Sequence, residues 1–339
     1  MKEVDVVVVG GGISGLYLSQ LLDKKGINFL TVDNKKTIGN KGFRAVSEEC
    51  FKKINPDSDI ILDFLDQVDI ISAHGYKIST DIKGYSMKTS DIEKDFMEKI
   101  SDRKRILTGV SVEKIVDLEK NKISLGNETV TFKIMVLACG ADRGSLRNQL
   151  GVKNSLIADV HACEIKTMGE RETGVVVDNE NAKGLFTWMM PIGEKRMEVG
   201  IFSVEKNRDW KKRLFSVNTI KSFKNHEIVE EFHGQTPLST ANRCFGKNWL
   251  AIGSAGNGQP VVGVPVFQSV EDAELASEVI EKHLDGVSNL DLYQKIWVKR
   301  HKKRLVFLNL IQKTLINIDS RGVDVLMKAT GSFFPVRWM

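Results

Sequence analysis

Residues 4–33 read VDVVVVGGGISGLYLSQLLDKKGINFLTVD, and this stretch decides the fold. The β-branched run Val6 to Val9 suits a strand. It enters Gly10-Gly11-Gly12-Ile13-Ser14-Gly15. Apolar residues at Leu16, Leu18, Leu21 and Leu22 then mark a helix, and Phe29 to Val32 form a second strand ending at Asp33. Strand, glycine turn, helix, strand and acid follow in the order that a dinucleotide-binding βαβ unit requires. Gly10 serves the tight turn, Gly12 lets a pyrophosphate approach the backbone, and Gly15 lets the helix pack closely on the strand. Ile13 and Ser14 open the helix, where free N–H groups and the dipole favour an anion. Asp33, followed by Asn34, lies about 20 residues on and is placed to accept a hydrogen bond from a ribose.

Around that unit the chain runs to 339 residues, longer than one average domain, which predicts two lobes. Hydrophobic residues make up 42% and charged residues 27%, enough for a sizeable core. The net charge of +5 is spread through interleaved Lys and Asp/Glu, so a dedicated nucleic-acid binder is not expected. The first strand begins at once, leaving no room for a signal peptide, and no window reaches the length of a spanning helix. A cytoplasmic protein is expected. Cys50, Cys139, Cys163 and Cys244 show no CxxC pairing and read as reduced thiols. The histidines lack metal-ligand spacing, so no metal site is expected.

Along the chain, Asn34 to Arg44 reads as a loop, and Val46–Ile54 and Ile60–Val68 read as helices. Short strands follow at 70–72, 76–80 and 85–88, and SDIEKDFMEKI (90–100) carries the spacing of an amphipathic helix. From Arg105 the pattern turns to strands, ending in the apolar run Ile134 to Cys139 and a second glycine turn, Gly140-Ala141-Asp142-Arg143-Gly144-Ser145-Leu146-Arg147. Strand-like runs dominate 155–245, with a mixed helical stretch near 207–224. Trp249-Leu-Ala-Ile-Gly253-Ser254-Ala-Gly256, with Pro260, Gly263 and Val264, then returns to strand plus glycine loop. A helix over 265–284 and a helical C-terminus complete the chain.

Three such turns in this order resemble the FAD-dependent oxidoreductases of the p-hydroxybenzoate hydroxylase-like superfamily. Within it, Phe186-Thr-Trp188-Met-Met190-Pro191, followed by Gly193 and Val199-Gly200, resembles the YxWxFP…G signature of the geranylgeranyl reductase family. This resemblance implies an α/β fold: a Rossmann-like FAD-binding domain of the GR2 type (1–154 and 246–285), an inserted antiparallel-sheet substrate lobe (155–245) and C-terminal helices (286–339). It implies that Phe186, Trp188, Met190 and Pro191 line an isoprenoid cavity; read by itself the stretch is also what a packed core strand looks like. The family's third turn usually carries Asp where this chain has Ser254, and Gly where it has Pro265. Relatives often carry a cysteine near Asn40.

The resemblance implies FAD as cofactor. Gly10, Gly12, Ile13, Ser14 and Gly15 would hold its pyrophosphate, Asp33 and Asn34 its ribose, and Val112 would flank the adenine. Gly140 would close the second turn, and Gly253, Ser254, Pro260, Gly263 and Val264 would border the ribityl chain and ring. Arg44 reads either as a phosphate partner or as a solvated surface arginine. Electrons would come from transient NAD(P)H or another donor, since no second nicotinamide-binding unit is present. No residue is identifiable as the catalytic acid. Prenyl-lipid reduction is the expected activity; the alternatives are an aromatic-hydroxylase-type monooxygenase and a degenerate flavoprotein that binds lipid or a partner without catalysis. KIWVKRHKKR (295–304) followed by an apolar run through 316 reads as either a membrane-surface contact or a packed helix with a solvated basic start. Oligomeric state is not legible.

Overall fold

Val6, Val7 and Val8 have no exposed surface at all, and the first sheet is built around them. In the computed structural model, residues 2–117, 119–126, 128–141, 145–169, 171–206 and 209–330 are described. The chain begins with β1 (Lys2–Val9), α1 (Ile13–Lys24), β2 (Phe29–Asp33), β3 (Phe43–Ser47), α2 (Glu48–Ile54), β4 (Ile61–Ser72), β5 (Lys77–Lys88) and α3 (Thr89–Glu98). It continues with β6 (Ile106–Thr108), β7 (Val112–Asp117), β8 (Lys122–Leu125), β9 (Glu128–Leu137), α4 (Ser145–Gln149), β10 (Ile157–Lys166), β11 (Gly174–Val177), β12 (Phe186–Pro191) and β13 (Arg196–Ser203). The last elements are α5 (Trp210–Leu214), β14 (Ile228–Pro237), β15 (Trp249–Ala251), α6 (Val266–Leu284), α7 (Asp291–Asn317) and α8 (Ser320–Thr330). Asp142, Arg143 and Gly144 of the second turn, and the last nine positions of the expected C-terminal helices, lie outside the described residues.

The first sheet runs β6-β2-β1-β9-β8-β7, with β15 pairing the far half of β9. β6, β2, β1, β9 and β15 are parallel, whereas β8 pairs antiparallel with the near half of β9 and β7 antiparallel with β8. β1 lies between β2 and β9, covered by α1, which itself packs on α3 and α6. Burial on both faces explains why its sequence is an unbroken apolar run.

The second sheet runs β14-β10-β13-β12-β11-β4-β5-β3 and is antiparallel except at β11–β4. It does not begin at residue 155, as the expected division has it, because β3, β4 and β5 come from residues 43–88. The expected helix at Ile60–Val68 is corrected accordingly: Ile61–Ser72 is strand β4, paired with β5 from Ile61 opposite Met87 to Ile71 opposite Lys77. Ile61, Leu62, Leu65 and Val68 have helical spacing, but two register shifts along the pairing produce it. A bulge moves the inward parity by one residue and blurs the period of two. The helix expected from Val46 starts later, at Glu48, with the Ser47 side chain accepting from the Cys50 N–H at its cap. The stretch near 207–224 is only the short α5 and a 3-10 turn at Lys221–Asn225.

β1 and α1 can meet only because position 15 lacks a side chain. A Cβ there would overlap the Gly10 carbonyl oxygen, which is backbone and cannot swing aside. Gly15→Ala is expected to lower stability by about 1–3 kcal/mol through this overpacking, read as a fall in the denaturant midpoint. Gly26→Ala is the comparison: φ is +68° there but nothing lies within 4 Å, so only the conformational term of about 1 kcal/mol applies.

Candidate functional site

At the carboxyl ends of β1, β2 and β9 a cavity of about 520 Å³ opens. From the first turn it is lined by Gly10, Gly12, Ile13 and Ser14, and from the end of β2 by Asp33 and Asn34. Arg44, Val112 and Gly140 supply further walls, and Ser254 and Val264 close it from the third turn. Eleven of the fifteen positions expected to hold the cofactor thus share one cavity. The other four do not line it. Gly15 is buried at the β1–α1 crossing, and Gly253 has φ +54° with its would-be Cβ 2.6 Å from Ser14 Oγ, so the first and third turns touch there. Pro260 and Gly263 belong to a closed loop in which Gln259 and Gly263 exchange hydrogen bonds of 2.9 and 3.0 Å.

The start of α1 faces this cavity without a side-chain cap and without an acid in its first turn. Its free N–H groups are therefore available to an anion. Asp33 Oδ2 accepts from the Gly11 N–H at 2.7 Å and Oδ1 from the Lys35 N–H at 2.8 Å, which aims the carboxylate at the turn and leaves lone pairs for a ribose. Arg44 is exposed on β3 and anchored by one bond, Nη1 to the Phe43 carbonyl at 3.1 Å. An uncapped helix start and an arginine fork as donors, with a carboxylate at the second strand as acceptor, are the set that a dinucleotide such as FAD needs.

Several lining residues escape a reading of motifs. Glu93, from α3, accepts from the Asn40 N–H at 2.6 Å and from its side-chain amide, and ties the 34–42 loop to α3 beside Gly12. Burial pushes its carboxyl above the ordinary range, against the pull of the Asn40 bonds and of Lys35 and Arg44. Its signal in the sequence is an acid directly beside the buried stripe Ile92 and Phe96. Arg147 lines the cavity too, donating to the Ala141 carbonyl at 2.7 Å across the second turn.

Below the third turn lies a buried polar cluster with no sequence signature. Asp272 on α6 accepts from the Gly253 N–H at 2.9 Å, the Asn257 amide at 3.2 Å and the Trp297 indole at 2.7 Å. The Asn257 amide also donates to the Tyr293 hydroxyl at 2.7 Å. The third turn and α7 are thereby both fixed to one carboxyl group on α6.

Phe186, Trp188, Met190 and Pro191 do not line this cavity. β12 belongs to the second sheet. By strand alternation Phe186, Trp188 and Met190 share a face, while Pro191 shares the other with Thr187 and Met189. Phe186 meets Phe202 edge-on at 5.3 Å; Met190 packs with Phe43, Leu65 and Ile192, and Trp188 spans the two clusters. The Trp188 ring lies across Gly200, where a Cβ would overlap it. That overlap is the physical reason for a glycine at this point of the motif.

Burial raises the Asp272 carboxyl to about 7 from an ordinary 3.8, although three N–H donors oppose the rise. A proton is therefore held more tightly in the folded state. The group's contribution to stability is full below about pH 4 and is lost as the pH rises through 7. Wild type is expected to lose stability relative to Asp272→Asn between these limits, measured by denaturant unfolding at each pH. A difference that stays level would mean that Asp272 does not titrate there.

Residues 5–337 match the lycopene cyclase protein family. A curated relative, the digeranylgeranylglycerophospholipid reductase of Methanosarcina acetivorans, is 24% identical over 96% of this chain and 88% of its own length. An uncharacterized protein of Methanocaldococcus jannaschii is likewise 24% identical, with the same coverage. Among solved structures, a geranylgeranyl bacteriochlorophyll reductase-like protein from Thermoplasma acidophilum superposes with a TM-score of 0.85 at 17% identity, over 97% of this chain and 91% of its own. The p-nitrophenol 4-monooxygenase of Pseudomonas putida gives 0.75 at 15% identity, over 98% and 95%. These structures share the two-sheet architecture described above. By a match that spans nearly its whole length, the chain belongs to the lycopene cyclase protein family.

Proposed function

We propose that this protein is an FAD-dependent oxidoreductase that reduces carbon–carbon double bonds of a geranylgeranyl-type lipid. The observation that carries the reading is the meeting of three glycine turns on one cavity with an uncapped helix start, Asp33 and Arg44 on its wall. The names of the sequence relatives supply the substrate class. Gly10, Gly12, Ile13 and Ser14 hold the pyrophosphate, supported by Gly15 and Gly253 behind them. Asp33 and Asn34 hold the ribose, Arg44 neutralises phosphate charge, and Val112 and Gly140 bound the adenosine half. Ser254 and Val264, with the Pro260–Gly263 loop behind, border the ring half; a hydroxyl at 254 accepts a ribityl hydrogen bond without the charge of the family's Asp. When bound, FAD supplies hydride transfer to the double bond. Phe186, Trp188 and Met190, on one face of the β12 motif that Pro191 ends, offer an apolar wall against which a polyprenyl chain is oriented and kept from water. Electrons enter through transient NAD(P)H or another donor.

The first test is the visible spectrum of freshly purified protein with identification of any released flavin, followed by anaerobic reduction in the presence of a geranylgeranyl lipid. Stoichiometric FAD and uptake of hydrogen by the lipid are expected. Arg44→Ala should weaken FAD binding about tenfold, the worth of one charge-assisted hydrogen bond. Oxygen-coupled turnover of a compact aromatic would replace the reading by a monooxygenase, and a colourless protein that refuses FAD would replace it by a binding role.

The lipid would be met at a membrane surface through α7. Lys299, Lys303, Val306, Leu310 and Lys313 are exposed at alternating spacings of four and three, which gives one stripe with lysines at both ends. Trp297, His301, Leu308, Ile311 and Leu315 on the other side are buried. No helix of the described residues is long and apolar enough to cross a membrane, so this stripe is read as an interfacial contact. Reversing Lys299, Lys303 and Lys313 to Glu should reduce sedimentation with anionic vesicles by at least about 100-fold in affinity, at roughly 1 kcal/mol per basic residue. Equal binding by the triple variant would refute the contact.

A further inference from the structure

Glu198 is a buried acid on β13, 5% exposed, and each of its oxygens serves a different segment. Oε1 accepts from the Trp188 indole N–H at 2.9 Å, and Oε2 accepts from the Phe43 backbone N–H at 3.0 Å. Trp188 belongs to the β12 motif, and two residues beyond Glu198 its ring rests on Gly200. Phe43 opens β3, and its carbonyl is bonded at 3.1 Å by Arg44, whose side chain lines the cofactor cavity. A short chain of contacts therefore runs from Arg44 through the Phe43 backbone and the Glu198 carboxyl to the indole. Burial pushes the Glu198 carboxyl up, while Trp188, Arg44 and the Phe43 N–H favour its ionised form.

An isolated buried acid is expensive, and an apolar residue of similar size would pack in its place without desolvation. What Glu198 does that such a residue cannot is to accept two N–H donors from separate segments. We infer that Glu198 is a positioning residue that links occupancy of the cofactor cavity to the setting of the Trp188 ring. A phosphate drawn to Arg44 pulls on the Phe43 backbone; the carboxyl moves with it and carries the indole. The link itself depends only on the contacts above. Its use, to shape the lipid wall once cofactor is in place, rests on the reductase reading.

Glu198→Gln tests it at constant volume, because glutamine has one acceptor oxygen and its amide nitrogen only donates. It can satisfy Trp188 or Phe43 but not both. The chain has five tryptophans, so 5-fluorotryptophan labelling gives few enough fluorine resonances to assign Trp188 by loss in Trp188→Phe. ADP is titrated into flavin-free protein. The expected result is a shift of the Trp188 resonance in wild type that is largely lost in Glu198→Gln, with ADP affinity lowered about fivefold, one hydrogen bond's worth. A silent Trp188 in wild type, or a response in Glu198→Gln equal to wild type, overturns the inference. Arg44→Ala, a change at an exposed position, provides a second arm should Glu198→Gln not fold. It must displace the Trp188 resonance before any ligand is added, and an unmoved resonance overturns the link. With FAD and geranylgeranyl lipid, Glu198→Gln should raise KM more than it lowers kcat. If wild type reduces no prenyl lipid while Trp188 still answers to ADP, the reductase reading falls and the link stands; turnover with a silent Trp188 gives the reverse.

Discussion

Backbone meets backbone where β1, β9 and β15 end, and the rest of the site depends on that contact. Gly10 donates to the Val32 carbonyl at 2.8 Å, Ala138 to Val9 at 2.8 Å and Ile252 to Leu137 at 2.9 Å, so the parallel ladder continues to the very mouth of the cavity. Past that point the first turn leaves the ladder at a residue that must lack a side chain. Gly10, at φ +116°, has no room for a Cβ beside the Ala138 carbonyl. Ligands of open α/β sheets sit at the carboxyl ends of the strands for this reason: the ladder stops, and its unpaired groups point into space.

Charges of both signs line that mouth, Asp33 and Glu93 beside Lys35, Arg44 and Arg147, but none of them comes from the third turn. Where the resembling family carries an Asp on the third turn, this chain carries Ser254 on the cavity wall and a buried carboxylate, Asp272, one layer below. Asp272 cannot touch what fills the cavity, but it holds the Gly253 N–H, and with Asn257, Tyr293 and Trp297 it fixes the turn to α6 and α7. Buried polar groups of this kind are favourable only when all their bonds are made, so the turn is rigid by construction.

The first βαβ unit was fully legible because each of its residues is constrained locally. The valine run must be buried on both faces, Gly15 answers to the Gly10 carbonyl five residues before it, and Asp33 bonds back to Gly11. β4 was not legible, since its partners lie in β5 and, more than 100 residues away, in β11, and two bulges give its apolar residues a helical spacing. Glu198 and Asp272 were silent for a related reason. An acid in a sequence looks solvated, and only the fold reveals which backbone and indole N–H groups surround it. Trp188 was legible as a motif residue but not as Glu198's partner, because the bond depends on the pairing of β12 with β13.

The sharing of the second sheet between residues 43–88 and 157–237 bears on how the molecule comes apart. The chain leaves the first sheet after β2, returns at β6, leaves again before β10 and returns at β15. Neither half is a continuous length of polypeptide, so a ribosome cannot finish one before starting the other, and no single proteolytic cut releases either. Long-range pairings such as β4 with β11 must wait for more than half of the chain, which places this fold among the slow, high contact-order class. A ligand that binds at the mouth of the first sheet would therefore stabilise both halves against unfolding together, and the apoprotein in the cell would be the form most open to degradation.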